Sequence, residues 1–276
     1  MEKFEEYLKA RRKSENTISA YIGAVKQYHN WYSDSFGEEC STLYRENVLE
    51  FVSYLKNIRE LNYKSINQKI AALSKYNDYL CTVNPKQETV VTKDDYLAVQ
   101  INYASPCTVG EKDVDEFRQR VLVGQGKRDF AIVTLICYTG VRISEAVNIK
   151  LNHICFESRE ITIVGKGDKQ RIVYMNDKVV NALREYLKLR NSESEYLFVS
   201  RQSDKISRYQ VNKIFNKYSD TITPHTLRHF FCTIALEKGE YSYHEVANLA
   251  GHSSIHTTML YTNPTAQKMK DKANKL

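Results

Sequence analysis

The sequence predicts a mainly α-helical protein in two parts: a helical bundle, then a mixed α/β domain with a small antiparallel sheet. Three observations carry this. Over residues 1–80 apolar side chains recur at three- and four-residue spacing. That regularity fails over 81–106, which holds Asn84-Pro85 and Ala104-Ser105-Pro106. Beyond it helical patterns return, broken once by a β-branched stretch on either side of a polar turn.

Residues 2–12 read as a short helix. Ser14 stands where it caps a second, whose apolar positions Ile18, Tyr21, Ile22, Val25, Tyr28, Trp31 and Tyr32 make one stripe, and Gly37 stops it. The pattern recurs over 46–59 through Val48, Phe51, Val52 and Leu55, and over 65–80 through Ile66, Ile70, Leu73 and Tyr76. Four amphipathic helices with short joints predict a bundle over 1–90. Residues 91–111 read as a linker, with some helix allowed over 92–100. Helices follow over 112–123 and 127–138, the second ended by Thr139-Gly140, then a helical segment over 144–151. Residues 154–164 and 171–175 read as strands joined by a Lys166-Gly167-Asp168 turn. Helices resume over 177–190, 208–218, 226–238, 243–249 and 254–261. The second domain spans 112–263, and 264–276 is a C-terminal tail.

Composition narrows the function. Hydrophobic residues are 42% and charged residues 26%, with 10 Gly and 4 Pro, which excludes a disordered or fibrous chain. The longest uncharged apolar run, 130–138, is nine residues. A membrane helix needs roughly 20. The N-terminus is charged from its second residue, unlike a secretory signal. Six Cys show no Cys-x-x-Cys clip and several sit in apolar runs. Buried reduced thiols in a cytoplasmic protein fit this; a disulfide framework or zinc ribbon does not. The net charge of +7 lies entirely in the C-terminal part: residues 1–105 carry 14 basic and 14 acidic side chains, residues 106–276 carry 26 and 19. A basic domain suits a polyanion, although a merely basic surface would show the same excess.

Four strings can carry chemistry: TGVRISE (139–145), GKGDKQR (165–171), HTLRH (225–229) and GHSSIHTTMLY (251–261). Each sets a cation, or a group that can become one, beside a turn or helix end. Two Arg can grip a phosphate through paired hydrogen bonds. A Lys can protonate a leaving oxygen, and a His can take or share a proton near neutral pH. A Tyr hydroxyl can hold a phosphoryl group covalently. Singly each residue has a plainer role: Arg142 can simply pair with Glu145, Lys166 can be a solvated turn residue, and Tyr261 is one of 20 Tyr. His225/His229 and His252/His256 have the spacing of zinc pairs, but no His-Glu-x-x-His pattern and no nearby Cys accompany them, and Arg228 adds a cation. No metal site is expected.

Together, in this order and spacing, the four strings resemble the tyrosine recombinase, or phage integrase, family, which includes Xer-like and transposon- or phage-borne site-specific recombinases. The resemblance covers residues 112–263 and, more weakly, extends to the N-terminal bundle, which would be the SAM-like core-binding domain. It implies that Arg142, Lys166, His225, Arg228, His252 and Tyr261 are catalytic and that Glu145 supports Arg142. Two departures are Ala250, where Leu often precedes Gly-His, and Phe231-Cys232, where smaller residues often follow the His-x-x-Arg box. Neither removes a catalytic group.

The resemblance further implies cleavage and rejoining of double-stranded DNA through a 3′-phosphotyrosyl link, with no cofactor. Paired inverted sites, a homotetramer in the synapse, a monomer off DNA and protomer contacts through the tail are part of the same expectation, as is a cytoplasmic, nucleoid-associated location. Arg11, Arg12, Lys13, Lys64 and Lys69 are the candidate DNA contacts of the electrically neutral bundle. Two other readings are a DNA-binding regulator that never cleaves and a type IB topoisomerase-like relaxing enzyme. The first has no need of Tyr261, Lys166 and both Arg at this spacing.

Overall fold

The computed structural model describes residues 1–99, 109–165, 168–252 and the single positions 258 and 274. The chain divides into two compact units, 1–101 and 102–276.

The first unit is the expected bundle. Its helices are α1 (Glu2–Ala10), α2 (Glu15–Phe36), α3 (Arg45–Asn57) and α4 (Tyr63–Val83). The Ser14 side chain accepts the Thr17 N–H at the start of α2, and Gly37 ends that helix in the left-handed conformation. α4 starts two residues before the expected 65, capped by Asn62, whose side chain accepts the Ser65 N–H at 2.8 Å. The apolar stripes meet in a core of Phe4, Leu8, Val25, Tyr28, Phe51, Leu55, Ile66, Ile70 and Leu73, all 1% exposed or less. Tyr28 meets Phe51 edge-on, with ring centroids 5.1 Å apart.

The expected linker needs correction at its start. Residues 84–97 pack on the bundle, held by side-chain amides that act as substitute strand partners. Asn77 donates to the Glu88 carbonyl at 2.8 Å and accepts the Val90 and Val91 N–H groups at 2.7 and 3.1 Å. Gln87 pairs with both the N–H and the carbonyl of Leu43 at 2.9 Å. Asn67 does the same for Leu97, and Arg45 grips the buried Asp95 carboxylate at 2.6 Å. The helix allowed over 92–100 is a single 3-10 turn, Lys93–Asp95. Residues 100–108 lie outside the described residues.

The second unit is built around α6 (Lys127–Thr139). Ala131, Ile132, Val133, Leu135, Ile136 and Cys137 are all fully buried. A helix apolar on every side belongs at the centre of a core. It packs on α5 (Glu111–Gln125), α8 (Asp177–Leu187) and α10 (Pro224–Glu237). α9 (Arg208–Tyr218) and α11 (Tyr243–Ala250) complete the helical shell. The segment expected to be helical over 144–151 is shorter: α7 (Ile143–Ala146), then a separate 3-10 turn at Leu151–His153.

The stretch expected as one strand over 154–164 holds two. β1 (Ile154–Cys155) turns back at Arg159, whose φ is +58°, into β2 (Glu160–Val164). β3 (Gln170–Tyr174) completes the antiparallel sheet in the order β1-β2-β3. Ile161 faces Val173 and Ile163 faces Arg171 across the ladder. The helix expected over 254–261 and the tail fall outside the described residues, except Thr258 and Asn274. Among the described residues no helix is long and apolar enough to cross a membrane. No disulfide forms among them: Cys40, Cys137 and Cys232 are buried, Cys81 is half-buried and Cys155 is exposed.

Candidate active site

The site forms where two helices stop. α6 ends at Gly140 with φ +63°, a conformation that favours glycine. A side chain there would also run into the Phe231 ring. The Gly140 carbonyl accepts Nη1 of Arg228 at 2.5 Å. α11 ends in the same way at Gly251, φ +67°. Its carbonyl accepts Nη2 of Arg142 at 2.7 Å, and the Ala250 carbonyl accepts Nη1 at 3.4 Å. The carbonyls left over at a helix C-terminus carry the negative end of the helix dipole, so each helix offers a guanidinium a main-chain anchor.

Arg142 is held from a second side. It caps α7, where its N–H donates to Glu145 Oε2 at 2.7 Å and its Nη1 to Oε1 at 3.0 Å. Both carboxylate oxygens of Glu145 thus touch Arg142. Arg171 reaches the same carboxylate from β3, with Nη1 to Oε1 at 2.9 Å and Nη2 to Oε2 at 2.7 Å, while its Nε donates to the Leu249 carbonyl at 2.8 Å. Burial pushes the Glu145 carboxyl up. The hydrogen bonds from Arg171 and the Arg142 N–H, with the two positive charges, outweigh burial and hold it below the usual carboxylate value.

Arg228 is 5% exposed on α10, one turn beyond His225. Thr223 caps this helix by accepting the Thr226 N–H at 3.1 Å, and Pro224 fills its first turn. His225 is exposed. His252 follows Gly251; its N–H closes α11 on the Ala247 carbonyl at 2.9 Å, and its Nδ1 shares a 2.7 Å hydrogen bond with Thr258 Oγ1. Burial, then the charges of Arg228, Arg142, Arg171 and His225, press its pKa down to about 4. The positive groups of Arg228, Arg142, Arg171 and His225 thus all act on the His252 ring, and the helix end that holds Arg142 adjoins His252. The Arg142 and Arg228 guanidiniums, each fixed by a carbonyl at a helix end and Arg142 also by the Glu145 carboxylate, can stabilise negative charge that develops on a phosphate. Lys166 and Tyr261 lie outside the described residues; on the described side of the former, the Gly165 N–H donates to the Lys169 carbonyl at 2.8 Å. Among the described residues no three His, Cys, Asp or Glu side chains gather as metal ligands.

Sequence reasoning misses Arg171, although it carries a readable signal. The strand alternates, and Arg171 falls in phase with the buried Val173 and Met175 rather than with the exposed Ile172 and Tyr174. A charge in phase with the core requires a buried partner. In the bundle, Lys69 pairs with Gln27 in a groove between α2 and α4 that also contains Asn16, Gln68 and Arg59. Burial and Arg59 lower its pKa. Arg11, Arg12 and Lys13 are exposed between α1 and α2, with Arg11 stacked 3.5 Å from the Tyr7 ring centroid, and Lys64 is exposed on α4. The groove brings in Arg59, which the sequence did not single out.

Comparison with known proteins agrees with this architecture. Residues 1–83 match the phage integrase N-terminal SAM-like domain, and residues 111–268 match the phage integrase family. The chain belongs to the phage integrase family and is a tyrosine-type site-specific recombinase, an enzyme of DNA recombination. It is 50% identical over 275 residues to the TnP I resolvase of Bacillus thuringiensis, spanning 98% of this chain and 96% of that one. It is 31% identical to a tyrosine recombinase of Pseudothermotoga lettingae, spanning 100% and 97%. In fold it resembles the Tn1549 transposon integrase in complex with transposon right end DNA, with a TM-score of 0.70 at 18% identity over 99% of this chain and 97% of that one. It also resembles the XerH recombinase bound to palindromic difH substrate, with a TM-score of 0.73 at 21% identity over 96% and 81%.

Proposed function

We propose that this recombinase acts on double-stranded DNA bearing paired inverted sites, and that it resolves a transposition intermediate or an equivalent DNA joint. The Tyr261 oxygen attacks the scissile phosphorus, the bond to the 5′ oxygen breaks, and the 3′ side remains on the protein as a phosphotyrosine. Lys166 gives the departing oxygen its proton, leaving a 5′-hydroxyl. His225 assists removal of the tyrosyl proton. Arg142 and Arg228 stabilise the charge on the non-bridging oxygens, and His252 donates a hydrogen bond to them. Attack by a 5′-hydroxyl from another duplex reverses these steps, so bond energy is conserved and no cofactor is required.

The single observation that carries this reading is the anchoring of the Arg142 and Arg228 guanidiniums on the carbonyls of Gly251 and Gly140 at two helix ends, with His252 next to the first. Donors fixed in advance need no reorganisation as charge develops. Resolution is the favoured role because the Bacillus thuringiensis relative, matched over nearly its whole length, is a resolvase. The bundle contributes Arg11, Arg12, Lys13, Lys64 and Lys69 to backbone contacts, and the amides beside Lys69 are suited to base edges. Four protomers form the synapse. The tail over 264–276, with Lys268, Lys270, Lys272 and Lys275 beside Met269, Ala273 and Leu276, docks on a neighbouring protomer. The enzyme works in the cytoplasm, on the nucleoid.

The test is Tyr261→Phe on a nicked suicide duplex. The variant is expected to bind as wild type and to give no covalent adduct on a denaturing gel. A wild-type level of adduct would move the nucleophile elsewhere in the chain.

A further inference from the structure

One buried charge has no part in the chemistry just proposed. The guanidinium of Arg171 is 15% exposed and has acceptors on two other elements. Glu145 belongs to α7, and the Leu249 carbonyl to the last turn of α11, while Arg171 itself is the second residue of β3. Each of these three elements adjoins in sequence one residue of the proposed site: Lys166 between β2 and β3, Arg142 capping α7, and His252 just after α11.

Glu145 is divided between two arginines. Oε1 accepts from Arg142 Nη1 and Arg171 Nη1, and Oε2 from the Arg142 N–H and Arg171 Nη2. Without Arg171, the side chain of Arg142 becomes its only cationic partner among the described residues, and that side chain is 41% exposed to competing water. Arg171 also lies against Gly251: a Cβ on that glycine would meet the guanidinium at 2.8 Å. Gly251 is the residue whose carbonyl holds Arg142 Nη2. Arg171 therefore bears on both anchors of Arg142.

We propose that Arg171 is a positioning residue of the recombinase. It fixes the Glu145 carboxylate and the end of α11 relative to the hairpin, so that Arg142 is aimed before DNA arrives. This rests on the roles assigned above to Arg142 and Tyr261. A lysine cannot replace it fully, because one ammonium does not span two carboxylate oxygens and a carbonyl in a fixed plane.

A double-mutant cycle tests this, using full-length Arg171→Gln, Arg171→Lys, Arg142→Lys and the combined variants. The substrate is a suicide duplex with a 5′-bridging phosphorothiolate, whose sulfur leaves without a proton, so proton donation by Lys166 drops out of the measurement. Single-turnover adduct formation should slow about 100-fold in Arg171→Gln, as misplacement of a catalytic group by an ångström does. Arg171→Lys should fall between it and wild type. The DNA concentration giving half the maximal rate should not move. In the Arg142→Lys background, Arg171→Gln should cost about twofold or less, since the group it aims is gone. Equal slowing in both backgrounds would make Arg171 a structural residue only and overturn the proposal, as would a wild-type rate in Arg171→Gln. If Arg171→Gln does not fold, the Arg171→Lys arm of the cycle decides by the same criterion. Tyr261→Phe and Arg142→Lys alone are the controls: adduct from the first, or a wild-type rate from the second, defeats the underlying assignment and is distinguishable from failure of the Arg171 cycle.

Discussion

The two units of this chain bury polar groups for opposite purposes. In the bundle, the buried Asn77 is spent on main-chain groups of the segment that follows α4 and Gln87, from that segment, on the main chain of Leu43, and the core beneath is aromatic and aliphatic. In the catalytic unit, the buried Glu145 is spent on the cationic side chains of Arg142 and Arg171, and the buried Arg228 is itself a cation held by the Gly140 carbonyl, in the site proposed for the reaction. Losing a polar group in the first case loosens a fold. Losing one in the second misdirects a cation while the fold can remain. Stability and activity should therefore respond separately to changes in the two units.

The largest expected effect is in the catalytic unit. Gly140→Ala places a side chain at φ +63° and against Phe231, and it moves the carbonyl that anchors Arg228. Adduct formation on a suicide duplex should drop about 100-fold or more, as when a donor to the transition state is lost. The melting temperature reports the accompanying strain, about 1–3 kcal/mol. A near-normal rate would mean that Arg228 does not depend on this helix end. The counterpart in the bundle is Asn77→Ala, which leaves the Val90 and Val91 N–H groups without their acceptor. It should cost about 1–3 kcal/mol in denaturant unfolding. The single-turnover rate at saturating DNA should be unchanged, and a slowed rate would erase the distinction between the units.

The smallest effect is on pH dependence. With the His252 pKa at about 4 in the folded protein, against an ordinary 6.5, the unfolded chain takes up a proton that the folded chain refuses between those values. Stability contributed at higher pH is therefore lost as pH falls from about 6.5 to 4. His29 in the bundle and His229 on α10 are depressed too, in each case first by burial. His252→Asn should flatten part of the decline and leave the rest. An unchanged slope of melting temperature against pH would show that His252 titrates normally.

Much of this was legible because it is local. The stripe from Ile18 to Tyr32 and the stops at Gly37 and Gly140 depend on helix period and on left-handed glycine, which a sequence states directly. So does the pairing of β2 with β3. The arginines and histidines proposed for the site stand out in the sequence through their spacing. What remained hidden depends on distant partners. Nothing near Asn77 says that its amide will meet Val90 and Val91, so a packed segment read as a linker. Arg171 was readable only by asking which strand residues share its phase, and its partner Glu145 lies 26 positions away.

The anchors of Arg142 and Arg228 are peptide carbonyls, and this has an evolutionary corollary. A contact made by the main chain is silent to most substitutions, since any residue that preserves the helix end presents the same oxygen. Exposed side chains of α11 can thus drift while the guanidinium that this helix end holds stays aimed. A chimaera that exchanges the exposed face of α11 between relatives would inherit the anchors intact, provided Gly140 and Gly251 are retained.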